Sequence, residues 1–266
     1  MRPELFSFVI NLDFEIGRKA LMEKQLAGVG FPYEIVSAVN GKNLSPEYIS
    51  RVYDETGAYA IQGKPLSQGE IGCALSHLSV YRRLIEKRLP AALVLEDDAY
   101  LHESISRLAG PLFDHIAKTS QPTIYLLTHL LRYRRKPVLK LGSTYSLHQI
   151  VDACCAHGYL INQLAAKAML EAFDPIRYPI DAWKRIAEAG HIQVLGLHPY
   201  VVGHSVFAKE SNIEVERLIV DDHFQPRGFD RLKFNLRFYL HERFVYQIWK
   251  LLAGIKKQHK QPWDLR

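Results

Sequence analysis

Three consecutive acids, Glu96-Asp97-Asp98, follow directly on the apolar run Ala91 to Leu95. A short apolar run of this kind reads as a buried strand, so the acids are delivered where the chain leaves a sheet. Ligands of open α/β sheets bind near the carboxyl ends of strands. In an extended backbone Glu96 and Asp98 share one face and Asp97 takes the other. Two carboxylates on one face repel unless a cation lies between them. Their oxygens suit a hard divalent ion, Mn2+ or Mg2+, which also contacts substrate phosphates. The same three residues also fit a solvated acidic turn.

The other metal-ligating candidates are weaker. The chain has three cysteines, Cys73, Cys154 and Cys155. An odd count with two neighbours argues against a disulfide framework and for a reducing compartment. Cys154, Cys155 and His157 could hold a metal, but zinc sites usually separate their cysteines by about two to four residues. Buried core thiols are the preferred reading.

These groups need a scaffold, and the pattern around them is α/β. Apolar strand-like runs at Phe8 to Leu12, Glu34 to Val39, Ala91 to Leu95, Thr123 to Leu127, Gly158 to Ile161 and Ile192 to Leu197 alternate with helical periodicity. The helices fall at Arg18 to Leu26, Gly69 to Lys87, Gln163 to Phe173 and Ala182 to Ala189. Residues 130–148 are basic and aperiodic and read as a surface excursion or lid. A boundary near residue 228 is expected to separate a main domain, 1–228, from a tail, 229–266. No run reaches the ~20 apolar residues of a membrane span, and the short run Leu5 to Ile10 reads as a strand rather than a secretory signal.

The order of several blocks resembles the family 25 glycosyltransferases, bacterial lipooligosaccharide sugar transferases related to collagen-modifying galactosyltransferases. The blocks are Val9-Ile10-Asn11-Leu12-Asp13 with Arg18, the stretch Leu66 to His77, Leu95-Glu96-Asp97-Asp98-Ala99, Gly158 to Ile161, Pro179-Ile180-Asp181-Ala182-Trp183 and Ser211-Asn212-Ile213. The resemblance implies a GT-A type, Rossmann-like nucleotide-sugar fold with an acceptor region built around it, and inverting transfer. A C-terminal helical tail is read separately, from apolar spacing over residues 231–257. The acidic triplet would be the metal motif, and a late histidine, His204, would complete the metal site. Asn11, Leu12 and Arg18 would lie on the nucleotide side, with Glu96, Asp97 and Asp98 contacting the donor. The implied donor is UDP-galactose, with UDP-glucose as the alternative, and the acceptor is a lipooligosaccharide or lipopolysaccharide saccharide.

An inverting transferase also needs a base for the acceptor hydroxyl. Asp181 is the first candidate, and an N-cap of the helix that follows is its other reading. Glu70 is the rival base, or else an acid complementing the dipole of its helix. Arg18 is either a planar fork for phosphate or a surface arginine. His77 reads as a buried, hydrogen-bonded residue of its helix.

The net charge of +6 is concentrated at one end: residues 231–266 carry +7, leaving −1 for the remainder. Basic and aromatic residues interleave there, from Arg231, Lys233 and Phe234 to Trp249 and Lys250. This composition suits an amphipathic helix on an anionic membrane surface. The expected location is cytoplasmic, peripheral on the inner face of the bacterial inner membrane. Nucleic acid is not an expected partner, because outside the tail the charge is balanced and no binding motif appears. A non-catalytic nucleotide-sugar binder is the remaining alternative. The sequence does not indicate an oligomeric state.

Overall fold

The computed structural model describes residues 5–210 and 254–264. The chain opens with β1 (Phe6–Asn11), α1 (Ile16–Val29) and β2 (Tyr33–Ser37). Three helices, α2 (Pro46–Val52), α3 (Glu55–Gln62) and α4 (Gln68–Glu86), then lead to β3 (Ala91–Glu96). Next come β4 (Ala99–Leu101), α5 (Ile105–Lys118), β5 (Thr123–Leu126), β6 (Leu130–Leu141) and β7 (Tyr145–Ala153). The described part closes with β8 (Gly158–Asn162), α6 (Gln163–Ala172), α7 (Trp183–Glu188), β9 (Gln193–His198), β10 (Val202–His204) and β11 (Ile255–Lys256).

Nine strands form one sheet in the order β11-β6-β7-β9-β5-β8-β3-β1-β2, and β4 pairs separately with β10. Strands β2, β1, β3, β5 and β9 run in one direction, with β8 reversed between β3 and β5. Helices cover both faces, which explains why β3 and β8 are apolar and buried almost throughout rather than alternating. One face packs α4, α6 and α7 side chains such as Tyr81, Met169 and Trp183, and the other packs Met22, Leu26, Leu112 and Phe113 of α1 and α5. The α/β expectation therefore holds, and within the described residues every strand and helix read from periodicity has its counterpart.

Residues 130–148 are a correction. They do not form a lid: they build most of the β6–β7 hairpin, and β7 joins the sheet through β9. Repeated register shifts between Leu130 and Leu139 break the two-residue alternation that would have marked β6 as a strand. Helix α5 also escapes a sequence reading, since Gly110 and Pro111 stand inside it.

Helix α4 positions much of the site. Ser67 and Glu70 form a reciprocal capping box at its start. Gly72 lets the helix lie directly on the turn at Gly41, because a Cβ on Gly72 would stand 2.6 Å from the Gly41 nitrogen and 2.6 Å from the Val39 carbonyl oxygen.

The far end of the chain returns to the sheet. β11 pairs antiparallel with β6. The buried Gln258 side chain accepts from the Leu130 N–H at 2.6 Å and donates to the Leu197 carbonyl at 3.1 Å. Trp263 packs against Tyr100, His102 and Tyr200. The expected amphipathic helix falls almost wholly within 211–253, outside the described residues. Among the described residues no helix is long and apolar enough to cross a membrane.

The backbone contact at Gly72 sets a stability test. Gly72→Ala should destabilise the protein by ~1–3 kcal/mol, because backbone rather than a mobile side chain must yield. Gly28→Ala, on an open surface of α1 with nothing within 4 Å of the new carbon, should be neutral or stabilising by ~0.4–1 kcal/mol. Urea denaturation of both variants checks the pair.

Candidate active site

The acidic triplet divides its charges among three environments. Glu96 accepts from His77 Nε2 at 3.1 Å, and His77 Nδ1 meets the Tyr159 hydroxyl at 2.7 Å. Tyr159 in turn meets the Tyr81 hydroxyl at 2.7 Å. Burial raises both phenols, so they keep their protons. One proton order then satisfies every link: Tyr81 donates to Tyr159, Tyr159 to Nδ1, and Nε2–H to Glu96. His77 is fully buried and acts through Glu96, in line with its structural reading. Burial alone would raise the Glu96 carboxyl, but the His77 hydrogen bond and the neighbouring histidines outweigh it and hold the group below its usual range.

Asp97 turns toward β1 and α1, accepting from Asn11 Nδ2 at 2.8 Å and Arg18 Nη1 at 3.3 Å. Arg18 Nη2 also donates to the Phe207 carbonyl at 3.2 Å. The guanidinium thus ties α1, the acidic turn and the segment after β10 together, and it lines a cavity with Leu12.

Asp98 is different. Its Oδ1 is buried and has no hydrogen-bond partner among the described residues. Burial first, and then the charge of Glu96, push its carboxyl up to about 7. His204 stands beside it, because β10 pairs with β4 so that His204 lies opposite Ala99. The Ser205 N–H donates to the Asp98 carbonyl at 2.8 Å.

His204 is oriented from the end of the chain. Asp264 Oδ1 accepts from the His204 backbone N–H at 3.0 Å and faces its Nδ1 at 3.3 Å, while Tyr200 donates to Oδ2 at 2.9 Å. Burial opposes ionisation of Asp264, but these hydrogen bonds prevail and hold its carboxyl far below the usual range. With Nδ1–H donating to Asp264, Nε2 becomes the acceptor nitrogen of His204, as in carboxylate–histidine–metal arrangements. Gly203 makes the approach possible: a Cβ there would stand 2.6 Å from the Trp263 ring.

An orphaned carboxylate oxygen beside a second carboxylate and an oriented imidazole fits a hard divalent cation. Glu96, Asp98 and His204 are residues of that kind and line one cavity. Among the described residues, the groups whose ligand atoms lie within 4.8 Å of one another are Cys155-His157-His204 and Cys73-His77-Glu96, and Asp98 is in neither.

Two cavities meet at Glu96 and Asp98. The first is lined by Leu12, Phe14, Arg18 and Asn40, and the second by Glu70, Asp181, His157 and His204. Both share Cys73, Glu96 and Asp98. Asp181 is not the cap of α7, whose N-cap is Ala182. Its Oδ2 instead accepts the Cys155 N–H at 3.1 Å within the second cavity. Glu70 lines the same cavity while its Oε2 accepts the Ser67 N–H at 2.9 Å.

Periodicity and local spacing indicate neither the Tyr81–Tyr159 link nor the Asp264 contact. The partners come from separate elements, and Asp264 is 60 residues from His204.

A family model described as Glycosyltransferase family 25 (LPS biosynthesis protein) matches residues 5–183. Procollagen galactosyltransferase 1 of Danio rerio is 28% identical over 182 residues, covering 65% of this chain and 30% of that protein. Procollagen galactosyltransferase 2 of Homo sapiens is 26% identical over 214 residues, covering 73% and 34%. The chain spans about a third of the length of these relatives. Among solved structures, a glycosyltransferase involved in glycosylation of the major capsid of PBCV-1 aligns over 82% of this chain and 98% of its own, with 11% identity and a TM-score of 0.39.

The raised Asp98 carboxyl makes a pH prediction. In the unfolded chain an aspartate ionises near ~4, whereas in the folded protein it does so near about 7. The stability it contributes is therefore complete below the unfolded value and lost as pH rises through the folded one. Metal-free protein should show a falling melting temperature across that window. Asp98→Asn should flatten the fall, and added Mn2+ should restore stability to the wild type at the alkaline end. Thermal melts with and without chelator measure all three.

Proposed function

The chain belongs to glycosyltransferase family 25, and on that premise we propose that it transfers a hexose from a nucleotide-sugar donor to a saccharide acceptor with inversion. The observation that carries the reading is the meeting of two cavities on Glu96 and Asp98. A donor on the Leu12 and Arg18 side would bring its diphosphate to the shared carboxylates, and an acceptor would approach from the Asp181 side.

Asn11 and Arg18 engage the Asp97 carboxylate, so that Glu96 and Asp98 are the members of the triplet shared by both cavities. A divalent cation held by Glu96, Asp98 and His204 would supply the positive charge that a departing diphosphate requires. Asp181 takes the proton of the attacking hydroxyl. Asp181 is favoured over Glu70 because Glu70 is almost fully buried and committed to capping α4, whereas Asp181 is partly exposed.

UDP-galactose is the proposed donor, following the galactosyl transfer named for the relatives, and UDP-glucose is the alternative. The proposed acceptor is a lipooligosaccharide or lipopolysaccharide saccharide, in keeping with the family description. The basic aromatic segment would hold the enzyme at an anionic membrane that carries this acceptor, each basic residue adding ~1 kcal/mol.

The first test is UDP release from UDP-galactose and from UDP-glucose, with and without Mn2+. Metal-dependent release from one donor is expected, with its loss in Asp98→Ala of unchanged circular dichroism. With an acceptor present, Asp181→Asn should lower kcat by ~10²–10⁴-fold. If calorimetry finds no UDP-sugar binding in the presence of Mn2+, the reading fails.

For the membrane, glutamine at Arg231, Lys233, Arg237, Arg243 and Lys250 is a better probe than truncation, because residues 254–264 belong to the fold. Weaker co-sedimentation with anionic vesicles is expected, and undiminished co-sedimentation would rule out this membrane role.

A further inference from the structure

The described residues hold a second group of ligating side chains, distinct in chemistry from the carboxylate set. Cys155, His157 and His204 each present a ligand atom, and the three atoms lie within 4.8 Å of one another. The His157 and His204 rings are 4.0 Å apart at 41°. Both are buried, and all three residues line the cavity that contains Asp181.

The geometry points to a metal site at Cys155, His157 and His204, selective for a borderline ion of the zinc class rather than for Mn2+ or Mg2+. A thiolate and two imidazoles are ligands that zinc prefers, with three protein donors leaving a fourth position for water or substrate. Zinc–sulfur and zinc–nitrogen bonds of ~2.0–2.3 Å place one sulfur and two nitrogens roughly 3.3–3.6 Å apart in a tetrahedron. Closure by up to about 1.5 Å from the observed spread of 4.8 Å therefore suffices. Binding releases the Cys155 thiol proton to solvent and involves no redox change.

The positions are fixed rather than accidental. Cys155 has φ 72°, a left-handed conformation disfavoured for a residue with a Cβ. Its backbone is clamped on both sides: its N–H donates to Asp181 Oδ2 at 3.1 Å, and its carbonyl accepts from the buried Trp183 Nε1 at 3.0 Å. The His157 carbonyl accepts the Glu96 N–H at 3.2 Å, which anchors the loop to the end of β3. His204 is held by Asp264.

Cys73, His77 and Glu96 also cluster within 4.8 Å. There, however, both His77 nitrogens serve hydrogen bonds to Tyr159 and Glu96, so the histidine has no lone pair to give.

His204 thus stands between two donor sets, a hard one of Glu96 and Asp98 and a soft one of Cys155 and His157. A zinc ion in the soft set withdraws His204 from the hard set and occupies the cavity beside Asp181. Reversible inhibition of transfer by Zn2+ follows, and this consequence alone rests on the glycosyltransferase reading.

The test is a Co2+ titration of reduced, metal-free, full-length protein. One equivalent should produce a near-ultraviolet thiolate-to-cobalt band with visible bands of tetrahedral cobalt, and Zn2+ should erase both. Cys155→Ser should lose the ultraviolet band, and His157→Ala should weaken Co2+ binding at least about tenfold. Cys154→Ser and Asp98→Asn should keep the band. In the unmodified protein, Zn2+ should slow alkylation of Cys155, resolved from Cys154 by peptide fragmentation. The site is refuted by absence of a thiolate band at stoichiometric Co2+, by a band that survives Cys155→Ser, or by alkylation of Cys155 indifferent to Zn2+. None of these readouts uses a sugar donor, so failure here and failure of the transferase reading are separable.

Discussion

Like charges crowd poorly into a low-dielectric interior, and β3 delivers three carboxylates to one buried turn. The surrounding fold is arranged around relieving that repulsion. Glu96 is answered by the imidazole of α4, itself steadied by two buried phenols. Asp97 is answered by Asn11 of β1 and Arg18 of α1. Among the described residues Asp98 Oδ1 receives no such answer from a donor, which leaves an unsatisfied carboxylate oxygen on a residue that lines both cavities. An unmet electrostatic demand in a cleft is a physical sign of a functional group, because burying it uncompensated destabilises the protein.

The elements that pack were legible in the sequence because packing leaves a period. β3 and α4 are visible in this way, the first as an unbroken apolar run and the second as a long helical stripe. The bulged strand β6 hides its alternation, and α5 carries Gly110 and Pro111 within its amphipathic pattern. Within the site, the acidic triplet is legible because its three members are contiguous. The contact of Asp264 with His204 is not, since two segments far apart in the chain meet through side-chain geometry alone. Cys155 shows the same limit. Its natural sequence neighbours, Cys154 and His157, suggest a local metal set, but the residue that completes the cluster comes from β10.

Glycine has two different uses beside the site. At Gly72 the missing side chain lets a helix lie against a turn, a matter of architecture. At Gly203 it opens the space into which Trp263 and Asp264 fit, which brings the carboxylate onto His204. The second use couples His204 to a segment whose described residues contribute one short strand to the sheet.

That coupling has a consequence for how the protein matures. Because Asp264 lies 60 residues beyond His204, a ribosome adding ~5–20 residues per second needs roughly 3–12 s to supply it after the histidine is made. During that interval the residues of every strand up to β10 have been made, while the imidazole lacks the partner that orients it. The proposed cation-binding set is therefore completed only when the last strand of the sheet, β11, and the segment after it have been made.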